Sequence, residues 1–216
     1  MAFRNQIFEN RTTAGIALAR AVRQIALKPP VLVLGLPRGG VPVAYEVAKE
    51  LRAPLDVLIV RKVGMPGQPE LAVGAIASGG ITVREPTTAA YLATLDVSFE
   101  KLAEAERAEL QRRERTYRAN APPLDLSGKT VVLVDDGLAT GATMLAAVRA
   151  ARKASAASVV VAAPVASDEA AALVGAEADD TVILQTPPFL SAIGEWYENF
   201  GQVEDAEVRA LLDRQL

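Results

Sequence analysis

Two adjacent acids, Asp135 and Asp136, end the apolar run Val131–Val134, and the stretch Gly137-Leu-Ala-Thr-Gly-Ala-Thr143 follows them. Carboxylates side by side accept hydrogen bonds from vicinal hydroxyls. A loop of small residues opening a helix lets backbone N–H groups converge, and the helix N-terminus adds positive potential. Thr140 and Thr143 add hydroxyl donors. A phosphate cradle next to two carboxylates would grip a sugar phosphate at both ends. The plainer alternative is that the acids cap the helix and solvate a strand end. The string is neither the P-loop GxxxxGK(S/T) nor the dinucleotide fingerprint GxGxxG.

Two further stretches carry charge into glycine-rich turns. Gly35-Leu-Pro-Arg-Gly-Gly40 follows an apolar run, and Arg61-Lys62 precedes Gly64-Met-Pro-Gly67. Glycines there would expose amides, and Arg38, Arg61 and Lys62 would supply cations. Neighbouring strand residues point to opposite faces, so a regular strand would turn at most one of Arg61 and Lys62 toward a shared site. Plainer readings are a strand–helix turn and a solvated basic pair.

The rest of the composition narrows the chemistry. The chain has 216 residues, half of them hydrophobic, with no cysteine and no histidine. Disulfides, thiolate nucleophiles, Cys-type zinc sites and imidazole acid–base catalysis are excluded. Carboxylates, Lys, Arg, hydroxyls, amides and an oxygen-held metal remain. A net charge of −3 gives no general case for nucleic acid, although Arg112, Arg113, Arg115 and Arg118 form a local basic run. No apolar run reaches the roughly 18 residues a membrane helix needs, and the polar start does not suit a signal peptide, so a soluble cytoplasmic protein is expected.

The elements that must position these residues alternate. Helical periodicity covers Arg11–Leu27 behind a cap at Asn10, then Pro42–Leu51, Phe99–Tyr117, Gly141–Lys153 and Ser167–Val174. Short apolar runs predict strands at Val31–Leu34, Leu55–Val60, Thr130–Val134, Ser158–Ala163 and Thr181–Leu184. Such alternation predicts a doubly wound parallel sheet in one α/β domain over 1–216. Arg61–Gly80 reads as a long loop with at most a short hairpin, because of its Gly and Pro content. The tail from Gln185 breaks the rhythm and holds Phe189, Trp196 and Tyr197.

VVLVDDGLATGAT resembles the PRPP-binding signature of type I phosphoribosyltransferases. GLPRGG resembles that family's diphosphate loop, and the basic pair before the glycine-rich segment resembles its third element. The resemblance spans most of Val31–Lys153. A softer likeness of Phe8, Arg11 and WYENFGQVEDAEV points to an uncharacterised bacterial branch. It implies that Asp135 and Asp136 hold the ribose hydroxyls and that Ala139, Thr140, Gly141, Ala142 and Thr143 hold the 5-phosphate. Arg38, Gly39 and Gly40 would meet diphosphate, with a cis bond expected at Pro37–Arg38, and Arg61 and Lys62 would add charge beneath a lid formed by Gly64–Gly79. Mg2+ would be held mainly through PRPP, with Asp135 and Asp136 as candidate ligands. The core would run over about 28–185, with a hood from about 1–12 and 186–216. A homodimer is expected. Gly137 departs from the family, which more often has an aliphatic residue there.

The implied activity is transfer of phosphoribose from PRPP to a nitrogenous base. Ala139 replaces the acid that 6-oxopurine enzymes place against their base, and DDGLATGATM is closer to the adenine type. Phe189, Trp196 and Tyr197 are candidates for stacking on the base, with core or dimer packing as the alternative. Two other readings stay open, a non-catalytic PRPP-binding regulator and an unrelated sugar-phosphate enzyme.

Overall fold

A computed structural model describes residues 7–214 apart from 86, 89–91, 93–96 and 120. Five strands form a parallel sheet: β1 (Val31–Gly35), β2 (Leu55–Val57), β6 (Thr130–Val134), β7 (Ser158–Val165) and β8 (Asp180–Gln185). Their order is β2-β1-β6-β7-β8. The direction of winding reverses between β1 and β6. In an open parallel sheet that switch point is where the loops beyond the strands part and leave a crevice.

Both faces of the sheet are covered, which explains why its strands read as unbroken apolar runs. Val33, Val132 and Val160 meet Leu18 and Val22 of α1 (Arg11–Val22) and Val43 and Val47 of α2 (Gly40–Leu51). On the other face, Leu34, Leu133 and Val161 meet Met144 and Val148 of α4 (Ala142–Lys153) and Val174 of α5 (Asp168–Gly175). The register places Gly35 opposite Val134, so the loops after β1 and β6 leave side by side.

α1 starts where expected. The Asn10 side chain accepts from Thr13 N–H, and the Thr13 hydroxyl accepts from the Asn10 N–H in return. It ends at Val22 rather than Leu27, because the chain must become extended before Pro29 and Pro30.

The segment after β2 corrects the reading of the sequence. The strand expected at Leu55–Val60 divides. β2 stops at Val57, and β3 (Val60–Met65) opens a second, antiparallel sheet with β4 (Gln68–Ala77) and β5 (Ile81–Arg84). Arg61–Gly80 is therefore a folded hairpin and not the open loop expected for a lid. Its glycines serve a turn and a close approach. Gly67, with φ +77°, makes the turn between Met65 and Gln68. A Cβ on Gly74 would lie 2.3 Å from Val83 O and 2.7 Å from the Phe99 ring. Val63, Met65, Val73 and Ile76 are buried against α3 (Phe99–Arg118).

The tail has structure of its own, a 3-10 turn at Ile193–Trp196 and α6 (Asp205–Leu212). Phe8 pairs with it, donating from N–H to Trp196 O at 2.9 Å and accepting from Glu198 N–H at 2.8 Å. The two segments expected to form a hood thus meet, although residues 1–6 and 215–216 of them lie outside the described residues. Among the described residues, no helix is long and apolar enough to cross a membrane.

Candidate functional site

The loops after β1 and β6 interlock. The Pro37–Arg38 peptide is cis, as the sequence suggested. Gly39 then lies so close to the acids that a Cβ there would stand 2.0 Å from Asp136 Oδ2. A Cβ on Gly40 would meet Val134 O at 2.6 Å. Only glycine lets the backbone of this loop reach the acid pair. α2 begins at Gly40 and α4 at Ala142, so two helix N-termini lie at this carboxyl edge of the sheet.

Each acid has one oxygen engaged by the protein. Asp135 Oδ1 accepts from the Asp136 N–H at 2.9 Å. Asp136 Oδ2 accepts from Arg11 Nε at 2.7 Å. Burial and the neighbouring Asp136 charge push the Asp135 carboxyl well above the ordinary carboxylate range. Two like charges are being held together at low solvent exposure.

Ala139, Thr140 and Thr143 are exposed, so the presumed cradle faces solvent rather than the core. Gly141 has φ +71° at the N-cap of α4 and nearly touches Ala170 at the start of α5, which would stand 3.2 Å from a Cβ. Ser167 Oγ donates to Ala139 O at 2.8 Å and fixes the loop from behind. First-turn amides have no intrahelical acceptor. Of those at Ala139–Thr143, only Ala142 N–H is met among the described hydrogen bonds, by Thr140 Oγ1 at 3.4 Å.

The other predicted residues separate. Lys62 is exposed and lines a small cavity of about 160 Å³ with Ala142, at the start of the cradle helix. Arg61 points away and pairs with Glu106 of α3 at 2.7 Å, so the structure does not bring it to the acids. Arg38 stands 4.0 Å from Glu204 and 3.9 Å from Asp205 of the tail. Asp205 also accepts from the Tyr117 hydroxyl at 2.6 Å. Burial and that carboxylate push the Tyr117 phenol up to about 12.

The aromatic candidates need correction. Trp196 and Tyr197 are only 8% and 5% exposed and belong to a cluster with Phe8, Ala14 and Val165. The Tyr197 ring stacks on Phe200 at 4.9 Å, and its hydroxyl donates to Asp136 O at 2.6 Å. Neither ring offers a face to a base. Phe189 is 92% exposed and remains available. Gly137 also gains a reason. Ile193 of the tail occupies the place of a side chain there, 2.5 Å from where a Cβ would be.

Arg11, named from the sequence only for the branch likeness, and Ile193 are the site residues left without a role by the sequence. Arg11 is 125 positions from Asp136, and no spacing rule links them. Three arginines of the local basic run are paired with acids of the chain itself. Arg112 and Arg113 both hold Glu109 at 2.7 Å, and Arg118 holds Asp56 at 2.8 Å. The hydrogen bonds from Arg112 and Arg113 pull the Glu109 carboxyl down to about 2.

The family model for the phosphoribosyl transferase domain matches residues 5–203. The chain belongs to this phosphoribosyl transferase domain family. TT1426, a protein from Thermus thermophilus, has a crystal structure that superposes with a TM-score of 0.88 at 44% identity. The match covers 96% of this chain and 98% of that one. A Mycobacterium tuberculosis H37Rv protein provisionally named a phosphoribosyl transferase is 46% identical over 97% of this chain. Only 47% of that relative is covered, so the chain spans about half the length of the curated relatives it matches. The parallel five-stranded sheet covered by helices is the fold that this family and the Thermus structure lead one to expect.

Proposed function

We propose that the chain transfers the 5-phosphoribosyl group of PRPP to a nitrogen atom of a purine-like base and releases diphosphate. The observation that carries this reading is the contact of Gly39 with Asp136, which leaves no room for a Cβ at 2.0 Å. It sets a diphosphate loop directly against a ribose-binding acid pair. Asp135 and Asp136 then accept from the ribose hydroxyls through the oxygens the protein leaves unengaged. Amides of Ala139–Thr143 hold the 5-phosphate at the start of α4. Gly39, Gly40 and Arg38 face the diphosphate, and Lys62 adds charge from β3.

In the reaction the bond from the anomeric carbon to the diphosphate oxygen breaks with its electron pair leaving on diphosphate. A base nitrogen forms the new bond through its lone pair, and the ring N–H proton of the base is released to solvent or diphosphate. The chain supplies positioning and charge rather than a nucleophile of its own. Among the described residues no three acidic side chains gather to hold a metal. Two carboxylates fit an ion such as Mg2+, which keeps waters and takes other oxygens from substrate. When bound, it would neutralise diphosphate charge, with Asp135 and Asp136 beside it.

The acceptor follows from what is missing. Ala139 brings no carboxylate to pair with a 6-oxopurine, so adenine is the expected base, with Phe189 as the exposed aromatic nearest in kind to a stacking residue. A site built to pair one exocyclic group discriminates strongly, because the wrong base leaves buried polar groups unpaired. Diphosphate release measured with PRPP, Mg2+ and a panel of bases tests the proposal. Turnover with adenine above guanine and hypoxanthine is expected. Preference for guanine would overturn the inference from Ala139, and PRPP binding without turnover on any base would favour the regulator.

A further inference from the structure

The acid pair is joined to the C-terminal tail by one side chain. Arg11 Nε donates to Asp136 Oδ2 at 2.7 Å, and its Nη1 donates to Gly201 O at 2.7 Å. Its guanidinium carbon stands 3.8 Å above the Phe200 ring. Phe200 in turn stacks on Tyr197, whose hydroxyl reaches the backbone oxygen of the same Asp136. Both side chains of the ion pair are little exposed, 12% for Arg11 and 14% for Asp136.

A guanidinium in that position sets the orientation of Asp136, since Oδ2 is held by Arg11 close against Gly39. From this we infer that Arg11 is a positioning residue for phosphoribosyl transfer, holding Asp136 oriented for the ribose and making that orientation depend on a docked tail. The inference rests on Asp136 as a ribose ligand. Among the described residues, the charged and titratable groups around Asp136 are Asp135 in its own loop, Arg11 from α1 and Tyr197 from the tail. Arg38, on the loop of Gly39, is directed to Glu204 and Asp205.

Calorimetric titration of PRPP with Mg2+ into wild type, Arg11→Met and Arg11→Lys tests it. Hydrogen bonds to a charged group are worth enough that Arg11→Met should weaken PRPP roughly 10- to 100-fold. Arg11→Lys keeps the charge but not the fork. It should restore only part of the affinity. A residue that merely stabilises the fold would lower the melting temperature and leave the affinity of the folded protein unchanged, and that result overturns the proposal. If Arg11→Met does not fold, Phe200→Leu removes the platform under the guanidinium and should weaken PRPP in the same direction, less far. Unchanged affinity in that folded variant also overturns it. Wild-type protein that fails to bind PRPP would defeat the ribose reading itself, a result distinct from normal binding in every variant.

Discussion

The two ends of the parallel sheet use the same ingredients differently. At the amino ends, Arg118 grips Asp56 with Nε at 2.8 Å and Nη2 at 2.9 Å, and Nη2 also donates to Pro122 O. One acid meets one base, and both carboxylate oxygens are engaged. A cavity of about 680 Å³ opens there, lined by Pro29, Pro30, Pro54 and Leu124 among others. At the carboxyl ends, Arg11 meets two acids and engages one oxygen of one of them. At the amino-end cavity the Arg118–Asp56 and Lys129–Asp125 pairs are closed on themselves. The crevice at the carboxyl ends has like charges crowded together, amides at Ala139, Thr140, Gly141 and Thr143 without an acceptor among the described hydrogen bonds, and glycines where side chains would collide. Size alone would choose the amino end, whereas unspent hydrogen-bonding capacity favours the carboxyl end as the candidate site.

The sharpest way to break this contrast is at Gly39. Asp136 cannot swing aside from a new Cβ, because Arg11 holds the oxygen it would meet. Gly39→Ala should abolish PRPP binding while the sheet stays folded. Asp135→Asn with Asp136→Asn should act almost as strongly, since each carboxylate contributes charge-assisted hydrogen bonds of about 1.5–3 kcal/mol. Unchanged affinity by calorimetry in either folded variant would end the ribose assignment.

How far the sequence announced these positions depended on who their neighbours are. Thr130–Val134 was legible to the residue, because a central parallel strand is buried on both faces and reads as an apolar run. The acid pair and the loop after it stood out because polar and small residues interrupt that run at its end. The β3–β5 sheet was hidden. Gly64, Gly67 and Gly74 look like loop residues, yet Gly74 is there because β5 and Phe99 come too close for any side chain. Trp196 and Tyr197 looked like base-stacking residues, and only tertiary packing against Phe8 shows that their faces are covered. Arg11 had no local signal, since its partner is brought near by the fold alone.

Removing the cation at the other end separates stability from function. Arg118 and Asp56 side chains are 9% and 22% exposed. Breaking a well-buried pair on one side costs about 3–5 kcal/mol, so Arg118→Met at this partly exposed site should cost roughly 2–3 kcal/mol. PRPP affinity at the opposite edge should not change. Denaturant melts and calorimetry on the same variant check both halves, and a loss of affinity equal to that of the acid variants would erase the distinction between the ends.

Asp135 offers the reverse trade. Its folded carboxyl binds a proton more tightly than the unfolded one, through burial and the charge of Asp136. Between the unfolded value near 4 and the raised folded value, the native state therefore holds more protons, and stability falls as pH rises. The contribution is fully present below the unfolded value and is lost as pH passes through the folded one. Asp135→Asn removes this penalty. The single variant should melt higher than wild type at neutral pH, by the equivalent of about 0.5–2 kcal/mol, with the gap closing toward acid pH. A variant that melts lower at neutral pH would mean that the carboxylate is stabilising the fold, and the crowding of like charge would lose its meaning as a mark of function.

The smallest effect concerns how the tail is seated on the site. Ile193 fills the place that a side chain at position 137 would take, with Cγ2 only 2.5 Å from the position of a Cβ on Gly137. The neighbour is a side chain on a short 3-10 turn and not backbone, so the turn can give. Gly137→Val should displace the turn slightly and cost about 1 kcal/mol, the low end for overpacking. Ile193→Ala should cost a comparable amount by leaving a space. The two changes together exchange one aliphatic group for another across the same gap, so their costs should fail to add, with the double variant more stable than the sum of the singles predicts. Tyr197 follows this turn and bonds to Asp136 O, so PRPP affinity should move in step, falling modestly in each single variant and recovering in the double. Strict additivity in both stability and affinity would show that the tail and the loop after β6 are not coupled through this contact.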